Sequence, residues 1–164
     1  MSALSDLKTY MKGQVHAVGA TPASTQAAVE QLATFAEAVR IPDKNGATVD
    51  GTYMLMRLPN AGTINKITVI PEASLTANDT TYKTLTFGIV DGAGGGATVV
   101  GTQTTKATGG SGSWVAATAL TIPLTATVAN LSFTAGKYLQ LAITHASTGV
   151  AEPIYTVVVE ITET

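Results

Sequence analysis

The sequence predicts a mainly β protein: a jelly-roll-like antiparallel β-sandwich of about eight strands, preceded by an N-terminal arm and one short α-helix. From residue 52 onward, apolar side chains alternate with polar ones, and turn residues recur at the spacing typical of an antiparallel sandwich or barrel. The first 46 residues differ, because their composition favours a helix and they contain few β-branched runs. A chain of 164 residues suits one compact domain with an appendage.

Three segments with the clearest alternation should anchor the sandwich, and they are residues 82–90, 138–144 and 155–162. In the first of them, Leu85, Phe87 and Ile89 are separated by small or polar residues, so we expect these side chains to face the core. Weaker alternation predicts further strands, at residues 53–58, 64–70, 99–105, 115–117 and 120–127. About eight strands is the number found in a jelly roll.

The predicted α-helix covers residues 25–40, where apolar side chains recur at intervals of three and four residues and so share one helical face. This stripe is narrow and rich in alanine, which suits docking onto a neighbouring subunit or partner. Packing on the protein's own sheet is an equal alternative. The candidate contact residues are the larger members of the stripe, Val29, Leu32, Phe35 and Val39.

The segment before this helix, residues 1–22, shows no firm period and mixes glycine and proline with small side chains. We expect it to be an extended arm that orders on binding. It lacks the apolar stretch and cleavage signal of a secretory leader. The predicted organisation is therefore an arm and helix over residues 1–46 and a β-sandwich domain over residues 47–164.

Charged residues make up 12% of the chain, against about 25% in a typical globular domain. Part of so weakly charged a surface should be covered by sister chains or a larger partner, the alternative being a threonine-rich sheet that stays in water. The formal net charge is −2, and the nine Lys and Arg residues are scattered, which argues against nucleic-acid binding. No apolar run approaches the length of a membrane span, so we expect no membrane partner.

Catalytic and metal-binding patterns are not found in the sequence. There is no cysteine, and the two histidines, His16 and His145, have no metal-site spacing; we expect His145 to be an exposed loop residue. Asp43, Asn45 and Asp50 miss the spacing of a helix-loop-helix calcium site, and turn formation explains them better. We therefore expect a protein that is not an enzyme and needs neither cofactor nor metal.

Two glycine-rich segments have compositions that suggest a site but lack the necessary spacing. Residues 91–96 lack the Gly-Lys-Ser/Thr ending of a phosphate loop and indicate a hairpin loop, while residues 108–113 lack the Gly-x-Ser-x-Gly frame and indicate a flexible tip. Trp114 follows the second segment in a candidate outward loop. It is either an exposed platform for sugar stacking or, the favoured alternative, a plug at the end of the sandwich.

Residues 62–161 resemble the sandwich domain of tailed-bacteriophage capsid decoration (cement) and head-fibre proteins. The resemblance rests on Thr-Val-Ile-Pro at residues 68–71, on Phe-Thr-Ala-Gly-Lys-Tyr-Leu-Gln-Leu at residues 133–141, and on the turn at residues 149–153 before a valine-rich strand. It implies a jelly-roll module, commonly a homotrimer, that sits on the outer surface of the virion capsid. It also implies that the partner is the major capsid protein, that neighbouring capsomers are clamped together, and that no catalytic residues are present.

On this basis we expect a structural virion protein that is assembled in the host cytoplasm and stabilises contacts between capsomers. The arm and helix would contact the capsid or a neighbouring subunit, and the loops at 91–96 and 108–114 would point outward or toward a neighbour. One alternative is a glycan- or receptor-binding sandwich of a phage fibre or tail. Another is the base of a head fibre.

Overall fold

The computed structural model describes residues 34–41, 50–92, 95–147 and 153–163, and these form a mainly β protein. Its elements are β1 (Thr34–Ile41), β2 (Gly51–Leu58), β3 (Gly62–Pro71), β4 (Lys83–Val90), β5 (Thr98–Thr104), β6 (Leu120–Thr121), a 3₁₀ turn (Val128–Leu131), β7 (Ser132–Phe133), β8 (Lys137–His145) and β9 (Tyr155–Glu163).

Two antiparallel sheets face each other. Sheet I has the strand order β1-β9-β3-β6, with β7 also pairing with β3, and sheet II has the order β2-β8-β4-β5. The adjacent pairs β1/β9, β2/β8, β3/β6 and β4/β5 are what results when one long hairpin, with its turn between β4 and β5, is rolled over itself. This arrangement is a jelly roll, so the predicted fold class is confirmed.

The core fills the space between the sheets with alternate side chains of each strand. Leu85 and Phe87 are completely buried and Ile89 nearly so, which confirms the predicted inward face of β4. The inward residues of β8 and β9 are likewise fully buried: Leu139, Leu141, Ile143, Tyr155, Val157, Val159 and Ile161. Each such side chain contributes about 1.5–3 kcal/mol by leaving water, so these two central strands hold the sheets together.

The weaker strand predictions have mixed outcomes. Strands β2, β3 and β5 lie where expected, but residues 115–117 are not a strand, since residues 116–117 form a turn and Ala117 has a φ of 55°. Of the predicted strand at 120–127, only Leu120–Thr121 forms β6. Pro123 has no N–H to continue the ladder, and the chain leaves the sheet there.

The predicted helix at residues 25–40 is wrong where the structure describes it, because Thr34–Ile41 is strand β1, paired residue by residue with β9. Phe35 and Val39 share a face at helical spacing, yet they also fit a period of two that continues to Ile41. Ile41 is buried, and pairing along β9 satisfies the backbone groups of β1 that face β9. The sandwich therefore includes β1, which lies before the predicted start of the sandwich domain at residue 47. The predicted arm at 1–22 and residues 25–33 lie outside the described residues.

The two ends of the sandwich differ. The root end carries Thr34, whose neighbour across the ladder is Thr162, together with the β2–β3 and β4–β5 connections. There the Asn60 side-chain amide donates to the Glu163 carboxylate at 2.9 Å. The tip end carries the β3–β4 and β5–β6 connections, including Trp114. The described residues of 91–96 and the segment 108–114 therefore lie at opposite ends of the sandwich.

Gly62 at the root end is a close-packed position where a side chain should be costly. A Cβ there would lie 2.5 Å from the Thr162 carbonyl oxygen and 2.9 Å from the Phe133 ring. We expect Gly62→Ala to lower the free energy of unfolding by about 1–3 kcal/mol, since backbone and ring must move apart. Gly96→Ala is the control, because nothing lies within 4 Å of its Cβ position. Urea unfolding measures both, and equal stabilities would contradict the packing described.

Candidate functional site

The outer face of sheet II is free of charge over three successive rows of residues, beyond which Arg57 lies exposed beside Tyr138. Register places its residues in rows that cross the strands, and these rows are Thr144-Thr84-Thr104, Thr52-Ala142-Thr86-Thr102 and Met54-Gln140-Gly88-Val99. We call these residues the uncharged face. Their neighbours along β4 and β8 point inward and are buried, which fixes the outward direction of the rows. Met54 and Val99, at its two edges, are 53% and 44% exposed.

The outer face of sheet I is different in character. Lys66 and Glu160 form an ion pair of 3.2 Å on its central strands, and Arg40 donates to Glu72 at 2.7 Å near its edge. These pairs are exposed, so each contributes little to stability. The asymmetry matters for association, because covering a charged face removes ions from water at a cost of several kcal/mol per ion, which the uncharged face avoids.

Trp114 lies inside the tip end and is 3% exposed. Its backbone forms an antiparallel bridge with Leu75, its indole N–H donates to the Ser111 hydroxyl at 2.6 Å, and its ring meets the Tyr155 ring edge-on with centroids 6.4 Å apart. The alternative of an exposed platform for sugar stacking is therefore wrong. Trp114 packs into the end of the core, as in the favoured alternative.

The tip-end loops are tied to each other by side-chain hydrogen bonds. Asp79 accepts from the Thr108 backbone N–H at 2.7 Å and from the Thr108 hydroxyl at 2.8 Å. Ser74 accepts from the Ala116 N–H, and Ser113 accepts from the Ala77 N–H, both at 2.9 Å. The segment predicted to be a flexible tip is thus held against the β3–β4 connection at several points.

Two carboxylates at this end should make stability depend on pH. Hydrogen bonds from Thr108 lower the pKa of Asp79 below its ordinary value of 3.8, and the backbone N–H of His145, followed by its side chain, does the same for Asp50. A lowered folded-state pKa contributes stability above the unfolded pKa, and that contribution is lost as pH falls through the folded value.

We therefore expect the melting temperature to be level between about pH 5 and 7 and to fall below about pH 4. Asp79→Asn should make that fall shallower, since the side chain can still accept a hydrogen bond but no longer titrates. Circular dichroism melts over this range test it. If the melting temperatures of the variant and the natural chain fell in parallel as the pH decreased, Asp79 would have no part in the acid destabilisation.

His145 is not an exposed loop residue, contrary to the prediction. It ends β8, its side chain is 2% exposed, and its backbone N–H donates to Asp50 at 2.8 Å, while its Nδ1 lies 3.3 Å from the same carboxylate oxygen. This arrangement joins the start of β2 to the end of β8. Among the described residues, no group of three or more His, Cys, Asp or Glu side chains could hold a metal ion. His16, Asp43 and Asn45 lie outside that part of the chain.

The candidate contact residues have different outcomes. Val29 and Leu32 lie outside the described residues, and Phe35 lies on β1. Val39 is half-buried and packs against the protein's own core from strand β1, not from a helix on the sheet. It is therefore not a free contact residue.

A cleft of about 400 Å³ opens at the root end. It lies between the base of the β4–β5 hairpin and the segment that runs from the 3₁₀ turn into β8. An ion pair between Lys137 and Asp91 crosses its lining. No sequence pattern indicates this cleft, because its walls come from segments far apart in the chain whose polar residues form no motif.

In the part of the chain that the structure describes, no helix has the length and apolar character that crossing a bilayer requires. A scan against models of known protein families finds no match for this chain, and a search of curated proteins finds no similar sequence.

Proposed function

We propose that this protein is a structural virion protein of a tailed bacteriophage that binds the outer surface of the capsid, through the major capsid protein, and stabilises contacts between capsomers. The observation that carries the proposal is the pairing of a jelly-roll body with one broad uncharged face and one face bearing ion pairs. Such asymmetry favours a module that is covered on one side by its neighbours. The resemblance of residues 62–161 to decoration and head-fibre proteins supports the same role.

In this proposal the root end faces the shell. The arm joins the sandwich at Thr34, and the chain reaches Glu163 at the same end, so an arm that binds the capsid pulls this end toward it. The tip end, with its tied loops and buried Trp114, then points away from the particle. Of the two glycine-rich loops, only the one at 108–114 points outward in this orientation.

The uncharged face would join subunits into a homotrimer. A closed three-fold arrangement uses heterologous contacts, so this face would meet a different surface of the next subunit. Few ions are then desolvated, and weak attachment by each arm adds up over the trimer through multivalency. No catalytic group and no cofactor is required for this function.

A lysine in the middle of the uncharged face should separate the subunits. Ala142 lies on the central strand β8, and Ala142→Lys would place an unpaired charge in the contact, which we expect to weaken association by at least about a hundredfold. Val115→Lys, at an exposed position of the tip-end loops and on neither sheet face, is the control and should remain trimeric. Light scattering gives both masses, and a trimeric Ala142→Lys variant would remove this face from the proposed interface.

The function itself is tested by co-sedimentation of the purified full chain with capsids prepared without it. The proposal predicts that the chain pellets with capsids at a saturating ratio and remains in solution without them. A chain that stays in the supernatant at every ratio would contradict the capsid-binding role. The remaining alternatives would then be a fibre or tail module and the base of a head fibre.

A further inference from the structure

We propose that the root-end cleft binds a short neutral saccharide. Its volume of about 400 Å³ lies within the range of small-molecule sites, and its walls belong to both sheets. Ile89 and Thr98 come from sheet II, and Ser132 and Phe133 come from sheet I. This binding goes beyond the proposed attachment to a capsid and does not depend on it.

The charge balance of the cleft selects against ionic ligands. Asp91 and Lys137 are the charged residues of its lining, and they form an ion pair with each other. Because each charge is compensated, the cleft offers an anion or cation no excess charge of opposite sign. A neutral ligand can instead accept from the ammonium group and donate to the carboxylate without breaking the pair.

The remaining polar lining consists of groups that can bond to hydroxyls. Thr98, Ser132 and Thr134 present hydroxyls, and Asn130 presents an amide with both donors and an acceptor. Among the described residues, these four side chains form no hydrogen bond with one another or with any other side chain or backbone group. A ligand rich in hydroxyl groups is the chemistry that matches such a set.

The apolar part of the lining is small and lies at one side. Ile89 and Phe133 are each 7% exposed, so they offer a narrow apolar surface beside the polar groups. A sugar ring has this same division, with C–H groups on its faces and hydroxyls around its edge. A purely apolar ligand would leave the polar groups of the cleft unpaired, which costs about 1–3 kcal/mol for each.

The test is ligand-observed NMR of the full chain with a panel of neutral mono- and disaccharides, followed by titration of any that bind. The variant Asn130→Ala/Ser132→Ala removes two polar groups on the exposed side of the lining, and we expect it to weaken binding by about tenfold or more. The control variant Thr52→Ala/Thr121→Ala removes two exposed hydroxyls far from the cleft and should bind as the natural chain does.

Three results would overturn the inference. They are no saturable binding by any neutral saccharide, equal binding by the cleft variant and the natural chain, and binding confined to acidic sugars that Lys137→Gln abolishes. Direct binding of an uncharged extended peptide, with no binding of any saccharide, would assign the cleft to a protein partner instead. Saccharide binding is measured on the full chain without capsids, and co-sedimentation with capsids is measured without saccharide, so failure of saccharide binding is distinguishable from failure of the proposed function.

Discussion

Removing residues 1–46 is expected to destabilise the sandwich by at least about 3 kcal/mol, whereas removing residues 1–33 should leave its free energy of unfolding nearly unchanged. The longer deletion takes away β1, and with it the buried side chain of Ile41 and the half-buried side chain of Val39. It also uncovers the ladder edge of β9, which β1 pairs from Thr34 to Ile41. The shorter deletion ends where the described strand begins.

Urea unfolding of both truncated chains beside the full chain measures this difference. If the two truncated chains were equally stable, β1 would have no structural role in the sandwich and the domain boundary near residue 46 would stand. The comparison also decides how the arm can be tested. Loss of capsid binding by the longer deletion would be ambiguous, because that chain has lost a strand, while loss by the shorter deletion would be due to the arm.

Trp114→Ala is expected to lower the free energy of unfolding by about 3–5 kcal/mol, the range for a large buried aromatic side chain. The substitution empties the tip end of the core beside Tyr155 and leaves the Ser111 hydroxyl without its indole donor. The adjacent Val115 is 60% exposed, so Val115→Ala is a matched control that should change stability by less than about 0.5 kcal/mol.

Thermal and urea unfolding of these two variants distinguish a tryptophan that packs in the core from one that serves as a surface platform for saccharides. A stable Trp114→Ala variant that has lost binding to saccharides would return Trp114 to the role of a surface platform. We expect the opposite result. Trp114→Ala should lose much of its stability, and the folded variant should bind saccharides at the root-end cleft as the natural chain does. The cleft and Trp114 lie at opposite ends of the sandwich, so the two effects should be independent.

The central strands could be predicted from the sequence because their periodicity and burial agree. In β4, β8 and β9 each inward position is apolar over most of the strand, and a shift of one residue would turn that whole set toward solvent. The prediction for residues 34–41 failed for a related reason. Their apolar side chains satisfy both a helical and an extended period, and the long-range pairing with β9 that decides between them is invisible to a local pattern.

The surfaces were less predictable than the strands. Low charge in the composition indicated a covered surface, but only the register shows that charge-free positions form three rows on the outer face of sheet II, while the outer face of sheet I carries the Lys66–Glu160 ion pair. His145 is the last residue of β8, and its hydrogen bond to the distant Asp50 has no local signal in the sequence. The cleft depends on segments that meet only when the sheets close, and no spacing along the chain records it.

The distribution of charge gives the low charged fraction of the chain a structural meaning. Threonine on an outer sheet face keeps β propensity high while leaving hydroxyls that pair with each other, as Thr84 and Thr104 do at 3.2 Å. Such a face can remain in water as a monomer or be covered without desolvating ions. The Ala142→Lys variant distinguishes these two states, because a charge there disturbs only a face that is covered.

The most direct measurement of the proposed function is electron cryomicroscopy of capsids with and without the bound full chain. We expect added density on the outer surface that fits the jelly roll, in groups around three-fold positions, with the root end that carries Thr34 and Glu163 toward the shell and the end that carries Trp114 outward. Capsids that gain no outer density, or a sandwich whose Trp114 end contacts the shell, would contradict it.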